Sequence, residues 1–199
     1  NEHLRLVLTD AEEIRLLHGA AVRFARANIP PDILQAVRQG RMVALRKPNG
    51  SVRALVVSDV FRRLVSKALA RHYAAQLQEA CLPFQFGLSS RAGTEALYRC
   101  LRTATEIDPH ATILSLDARG AFDHVSRQAM LGALQANPAL TPLHPYARIW
   151  YGTDSAYQWV DEHGTVHTIT QSEGGEQGDP LMPALFSLAQ HPALVQLQS

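Results

Sequence analysis

One short segment limits what this chain can fold into. Residues 113–117, Ile-Leu-Ser-Leu-Asp, end an apolar run with an acid. The apolar run predicts a buried strand. An ionised carboxylate at the end of a buried strand is costly unless a metal ion or an arginine meets it. The sequence therefore predicts a strand that carries Asp117 to a cation.

The composition limits the class of protein but not its partners. The chain has 199 residues, of which 46% are hydrophobic and 19% charged, as in an ordinary globular sequence with one core or two small lobes. A net charge of +1 neither requires nor excludes nucleic acid, so any basic surface must be local. No apolar run approaches the roughly 20 residues that span a bilayer, which predicts no membrane association. Because the sequence begins without Met and ends within a helical pattern, we expect a fragment of a longer polypeptide.

Two hairpins and several helices are predicted from periodicity and turn residues. Apolar runs flank Pro48-Asn49-Gly50, and a second hairpin over 156–171 turns near 162–164. The predicted helix N-caps are Thr9 or Asp10, Ser58 or Asp59, and Ser126. A glycine-rich loop at 174–179 leads into a helix with an early proline.

Two motifs and their order point to a known family. They are D-x-x-x-A-F-D at 117–123 and Q-G-D-P-L at 177–181, and their first residues are 60 positions apart. With the basic hairpin and the helix after it, they resemble the fingers and front palm of a reverse transcriptase. The resemblance is closest to the enzymes of non-long-terminal-repeat retrotransposons. It covers about residues 42–194.

The resemblance implies an α+β fold of the right-hand polymerase type, rich in helices with small antiparallel sheets. Residues 1–40 would form a helical N-terminal extension of the fingers, and residues 41–111 the fingers themselves. Residues 112–199 would form part of the palm with an interleaved hairpin. The thumb and the rest of the palm would lie outside this chain, as would the adjacent-aspartate motif that supplies most metal carboxylates in the family.

The resemblance gives the acid and the aromatic of the first motif specific roles. Asp117 would be a catalytic carboxylate that binds Mg²⁺ or Mn²⁺, since hard cations prefer oxygen ligands. Phe122 would be the sugar gate, whose ring crowds a ribose 2′-hydroxyl and so favours deoxynucleotides. A core position for Phe122 is the competing interpretation. Asp123 would cap the next helix or hold the loop, without binding metal.

Basic residues of the fingers would contact phosphates. Lys47 and Arg53 match the pair that grips the incoming triphosphate, as a movable point charge and a bidentate fork. Arg62, Arg63 and Lys67 would contact the template or nucleotide. For the charges at 63, 67 and 71, which are spaced four apart, a solvated helix face is the simpler interpretation.

Two further segments complete the expected site. Gln85 and Gly87 resemble the family element that supports the template strand. Gln177 and Gly178 resemble the loop beside the templating base and the nucleotide sugar, where glycine permits close backbone approach. The sequence departs from the family at Glu176, where a neutral or basic residue is frequent.

The predicted function is therefore that of a fragment of an RNA-directed DNA polymerase. Its partners would be an RNA template, a DNA primer, deoxynucleoside triphosphates and the remainder of the same polypeptide, without which we expect no activity. A noncatalytic RNA-binding scaffold is the alternative. An RNA-dependent RNA polymerase is disfavoured by Phe122 and by the Q-G-D-P sequence. The resemblance implies an intracellular protein, nuclear if the element is eukaryotic.

Overall fold

The computed structural model describes residue 5, residues 7–88 and residues 90–198. Part of the predicted N-terminal extension, residues 1–4 and 6, therefore lies outside the described residues. Within the described part of the chain, no helix has the length and apolar content to cross a membrane.

Helices make up most of the regular structure. In chain order they are α1 (Ala11–Ala25), α2 (Pro31–Arg38), α3 (Val60–His72), α4 (Ala74–Glu79), α5 (Gly93–Ile107), α6 (Ala121–His124), α7 (Arg127–Ala136), a 3₁₀ turn (Thr141–Leu143), α8 (His144–Tyr151) and α9 (Met182–Gln198). Three of them begin at side-chain caps. Asp10, Asp59 and Ser126 accept hydrogen bonds from the backbone N–H groups of the first helical turn, at 2.7, 2.8 and 3.2 Å respectively. These caps fall where the sequence predicts them.

Four strands form one mixed sheet in the order β2-β1-β3-β4. Their bounds are β1 (Gly40–Arg46), β2 (Val52–Val57), β3 (Ser155–Val160) and β4 (Val166–Gln171). Both predicted hairpins are present and antiparallel, and Gly50 and Gly164 provide the positive φ of their turns. The hairpins join through a short parallel pairing, in which Gly40 lies opposite Tyr157. The α+β class is confirmed, but the sheet is mixed rather than purely antiparallel.

The hydrophobic core lies mainly among α7, α8 and α9. Its most buried apolar side chains are Met130, Leu134, Leu140, Tyr146 and Met182, each with no exposed surface. Phe24 of α1 and Val65 of α3 join the same cluster, which packs the N-terminal helices onto the rest of the molecule. Burial of these side chains is the main term that holds the fold together.

The predicted strand that ends at Asp117 is wrong. Residues 111–118 are irregular, and no described strand pairs with them. Ile113, Leu114 and Leu116 are 56%, 76% and 80% exposed. A strand requires a hydrogen-bonded neighbour, and the described part of the chain provides none for this segment. The apolar pattern thus marks side chains that are suited to burial. It does not identify the part of the protein that would bury them.

Candidate active site

The glycine-rich loop at 174–179 is attached to the D-x-x-x-A-F-D segment through backbone hydrogen bonds. Gly174 N–H donates to the Val125 carbonyl at 2.8 Å, and Gly175 N–H donates to the Phe122 carbonyl at 2.7 Å. Gly174 has φ +73°, and a Cβ there would collide with the Asp123 backbone. The two motifs that the sequence separates by 60 residues therefore meet in the structure.

Gln177 lies at the centre of this meeting point. Its amide Nε2 donates to the two carboxylate oxygens of Asp123 at 3.3 and 3.4 Å. The neighbouring Gly178 approaches β2 so closely that a Cβ would lie 2.8 Å from the Val56 carbonyl oxygen. The observed neighbour of Gly178 is therefore a strand, and its approach to a base or nucleotide sugar remains a prediction.

A cavity of about 240 Å³ opens between this junction and the sheet. Its walls come from three strands, the short helix α6 and the glycine-rich loop: Met42, Ala54, Val56, Asp123, Ile169, Thr170, Gln171, Gly175 and Gln177. The lining is largely apolar, with a few polar groups provided by Asp123 and the glutamines. Small-molecule sites commonly combine an apolar wall with a few placed polar groups.

Phe122 is half-buried and precedes Asp123, which lines the cavity, in the sequence. Its ring meets the Phe186 ring of α9 edge to face, with the centroids 5.3 Å apart. The side chain therefore packs against the core and keeps part of its surface exposed. The core interpretation is correct for one side of the ring, and the sugar-gate role remains a prediction.

Asp117 is exposed and forms no hydrogen bond or ion pair within the described residues. The predicted cost of burying its charge therefore does not arise in this structure. In the described part of the chain, no group of three or more His, Cys, Asp or Glu side chains lies close enough to hold a metal ion. These residues by themselves do not fit a divalent-cation site, although the Asp117 carboxylate is the type of ligand that Mg²⁺ takes.

The predicted triphosphate grip lies at the β1–β2 turn. Lys47 N–H donates to the Ser51 carbonyl at 2.8 Å and closes the turn, and Arg53 lies opposite Leu45 in the register. Both side chains are exposed, and neither forms an ion pair within the described residues. Their guanidinium and ammonium groups are free to bind an anion, while the contact itself remains a prediction.

The basic residues of α3 divide between two environments. Arg63 and Lys67 are exposed on one helix face, as the spacing predicts. Arg62 is only 2% exposed and points into the molecule. The prediction that Arg62 contacts the template is therefore wrong for this structure, because its guanidinium is enclosed by protein groups.

The Arg62 guanidinium holds two acids of the glycine-rich loop. Nη1 donates to Glu176 Oε1 at 2.8 Å, and Nη2 donates to Asp179 Oδ2 at 3.4 Å. Tyr151 and Tyr157 donate their hydroxyls to the same two oxygens, on Asp179 at 2.7 Å and on Glu176 at 3.3 Å respectively. We call Arg62, Glu176, Asp179, Tyr151 and Tyr157 the arginine cluster.

The arginine cluster is electrostatically unbalanced, since two carboxylates share one guanidinium. Burial by itself lowers the pKa of Arg62, but nearby Glu176, Tyr151 and Asp179 outweigh burial and raise it. Burial raises the pKa of Glu176 above its ordinary value, Arg62 opposes this rise, and Asp179 adds to it. The cluster thus stabilises the positive charge of Arg62 and disfavours the ionised form of Glu176.

Sequence reasoning recognised Glu176 only as a departure from the family and missed its partner. A signal was available, because an acid next to Q-G-D-P puts two carboxylates within four residues of each other. Two acids in a loop that is otherwise suited to burial require a cation. The sequence does not reveal that Arg62, 114 positions earlier, provides it.

We expect the stability of the wild type relative to Glu176→Gln to decrease as the pH rises above about 4.5 and through the raised folded-state pKa of Glu176. The folded state raises the pKa of Glu176 above 4.5, so folding favours its protonated form. That contribution is fully present below the unfolded-state pKa and is lost as the pH rises through the folded-state pKa. Urea unfolding of both proteins at a series of pH values measures it. A difference that increases with pH contradicts the assignment.

The segment around Gln85, which the sequence predicts to support the template, contacts helix α9 in the structure. Gln85 Nε2 donates to the Ser187 hydroxyl of α9 at 2.8 Å, and Gln85 Oε1 accepts from the Gly87 N–H at 2.6 Å. The Gln85 side chain thereby connects the loop before α5 to α9. Gly87 is exposed, and its contact with a template remains a prediction.

The chain belongs to the reverse transcriptase (RNA-dependent DNA polymerase) family, which residues 45–199 match. It is also similar to the retrotransposable element SLACS 132 kDa protein of Trypanosoma brucei gambiense, at 24% identity over 172 residues. The aligned region covers 86% of this chain and 14% of that protein. The resemblance to retrotransposon reverse transcriptases is therefore confirmed.

Proposed function

We propose that the chain is a fragment of an RNA-directed DNA polymerase. The complete enzyme would add deoxynucleotides to a DNA primer on an RNA template by two-metal phosphoryl transfer. The observation that carries this proposal is the direct attachment of the glycine-rich loop to the D-x-x-x-A-F-D segment. It brings Gln177 to Asp123 in the wall of one cavity, and Phe122 precedes Asp123 in the chain.

The charges of the fingers support the same function. Lys47 and Arg53 extend from the hairpin, and Arg63 and Lys67 from α3, all as exposed cations without ion-pair partners in the described part of the chain. Triphosphates and nucleic-acid backbones are polyanions that such cations attract. The net charge of only +1 makes these local groups, rather than the whole surface, responsible for binding.

The remainder of the polypeptide would complete the site. The exposed apolar residues of segment 113–116 lie next in sequence to α5, whose Leu97, Tyr98, Leu101 and Ile107 are also exposed. Such a surface is suited to cover by further protein. We propose that the rest of the palm covers it and supplies the other carboxylates for Mg²⁺ or Mn²⁺ near Asp117.

Primer extension tests the proposed function. Residues 1–199 alone are expected to give no template-dependent incorporation, whereas a polypeptide that adds the palm and thumb is expected to incorporate deoxynucleotides. Incorporation by residues 1–199 contradicts the proposal that the site is incomplete. If the longer polypeptide binds RNA but incorporates no deoxynucleotides, the result contradicts the proposed polymerase function and favours a noncatalytic RNA-binding scaffold.

We expect Phe122→Ala in the longer polypeptide to relax the rejection of ribonucleotides by roughly tenfold or more, because a ring that crowds a 2′-hydroxyl is removed. Single-nucleotide incorporation of a ribonucleotide and its deoxy counterpart measures the ratio. Phe84→Ala is the matched control, since Phe84 packs near His191 and is not attached to the loop. If Phe122→Ala rejects ribonucleotides as strongly as the wild type does, Phe122 is not the sugar gate.

A further inference from the structure

Arg62 connects α3 to the part of the loop that carries Gln177. Its side chain is 2% exposed, and the centre of its guanidinium lies 4.1 Å from the centroid of the Trp150 ring. The Arg62 carbonyl also accepts the Tyr146 hydroxyl at 3.1 Å. Both its backbone and its side chain are therefore fixed by buried groups, which makes it a rigid support.

The loop is held at two places along its length. Gly174 and Gly175 donate their backbone N–H groups to the carbonyls of Val125 and Phe122 respectively. Further along the loop, Glu176 and Asp179 are bound to Arg62. Gln177 and Gly178 lie between these two acids in sequence, so they have little freedom to move independently of Arg62.

We propose that Arg62 is a positioning residue of the nucleotide site, which holds Glu176 and Asp179 so that Gln177 and Gly178 are kept against Asp123 and β2. This inference rests on the proposed function for its catalytic consequence. The positioning itself is a property of the chain alone. Arg62 contacts neither template nor nucleotide and acts through the loop.

The choice of arginine follows from the geometry. A guanidinium has donors in a planar fork, so Nη1 and Nη2 bond two different carboxylates at once. A lysine ammonium is a point charge on a flexible stem and does not reproduce the fork. Arg62→Lys therefore keeps the charge and loosens the loop.

Hydrogen exchange of the 199-residue chain tests the positioning directly. In Arg62→Lys the amides of residues 174–179 are expected to exchange about tenfold faster or more, while those of α7 change far less. Tyr151→Phe provides a second, milder variant, because it removes one hydrogen bond to Asp179 and keeps the ring. Arg63→Lys is the matched control on the exposed face of α3. Equal acceleration in the loop and α7, or none in the loop, overturns the proposal.

The catalytic consequence is tested in the longer polypeptide. Arg62→Lys is expected to raise the KM for deoxynucleotides by roughly tenfold, because small displacements in a site are costly, and to leave template affinity unchanged. Weaker template binding in Arg62→Lys overturns the proposal in favour of a template contact. If the wild type incorporates nothing, the proposed function fails, and the hydrogen-exchange result still decides the role of Arg62.

Discussion

Asp117→Asn is expected to lower deoxynucleotide incorporation by about a thousandfold, or about 4 kcal/mol, in a polypeptide that adds the palm and thumb to this chain. The carboxamide has nearly the same shape but no charge, so it would not replace a carboxylate ligand of a divalent cation. Single-turnover primer extension measures the loss. Since Asp117 is exposed and unpaired within the described residues, the folded state should tolerate the change.

The matched control is Asp108→Asn. Asp108 is also exposed and precedes the same segment, where its carboxylate accepts the His110 N–H at 2.9 Å. Its loss should leave incorporation within about twofold of the wild type. Equal losses in the two variants, or a full rate in Asp117→Asn, would remove Asp117 from the catalytic site.

Arg62→Leu is expected to lower the free energy of unfolding by about 3–5 kcal/mol at neutral pH. The substitution leaves Glu176 and Asp179 buried without their shared cation. Two tyrosine hydroxyls remain as donors, but they carry no charge to compensate the carboxylates. Urea unfolding followed by circular dichroism measures the change, which is large against the 5–15 kcal/mol of a typical domain.

The control for Arg62→Leu is its neighbour, Arg63→Leu. Arg63 is exposed, and its replacement should change the free energy of unfolding by no more than about 0.5 kcal/mol. If the two variants lose the same free energy of unfolding, the loss would come from changes to helix α3 rather than from the arginine cluster. A small loss in Arg62→Leu would mean that the two acids reach water or become protonated at little cost.

Local structure could be predicted from the sequence wherever a short-range rule decides it. The caps at Asp10, Asp59 and Ser126 follow from side-chain acceptors placed before apolar periodicity. Both hairpins follow from turn residues between β-prone runs. These features depend on residues a few positions apart, so one sequence contains all the information.

The failures of prediction all depend on partners distant in sequence. The apolar pattern of segment 113–117 indicates which side chains are suited to burial. The segment becomes a strand only when another strand pairs with it, and none of the described strands does. The burial of Arg62 depends on acids more than a hundred positions away. Periodicity places Arg62 on a helix that carries several cations and does not distinguish a phosphate contact from an internal ion pair.

The candidate site could be predicted in part. The motif order predicts that 117–123 and 177–181 belong to one site, and the loop's hydrogen bonds to Phe122 and Val125 show that they adjoin. The side-chain contact between Gln177 and Asp123 was not predicted, because Asp123 had two competing local roles as a cap or a loop anchor. Tyr151 and Tyr157 carried no signal, since buried tyrosines are common in any core.

The parallel pairing between β1 and β3 has a consequence for how the chain folds. Gly40 and Tyr157 are neighbours in the sheet although more than a hundred residues separate them. Closing such a long loop costs entropy before the contact contributes any stability. During synthesis, the edge of β1 that pairs with β3 therefore has no partner until β3 has left the ribosome. Until this late encounter, the unpaired edge of β1 is open to mispairing with other strands.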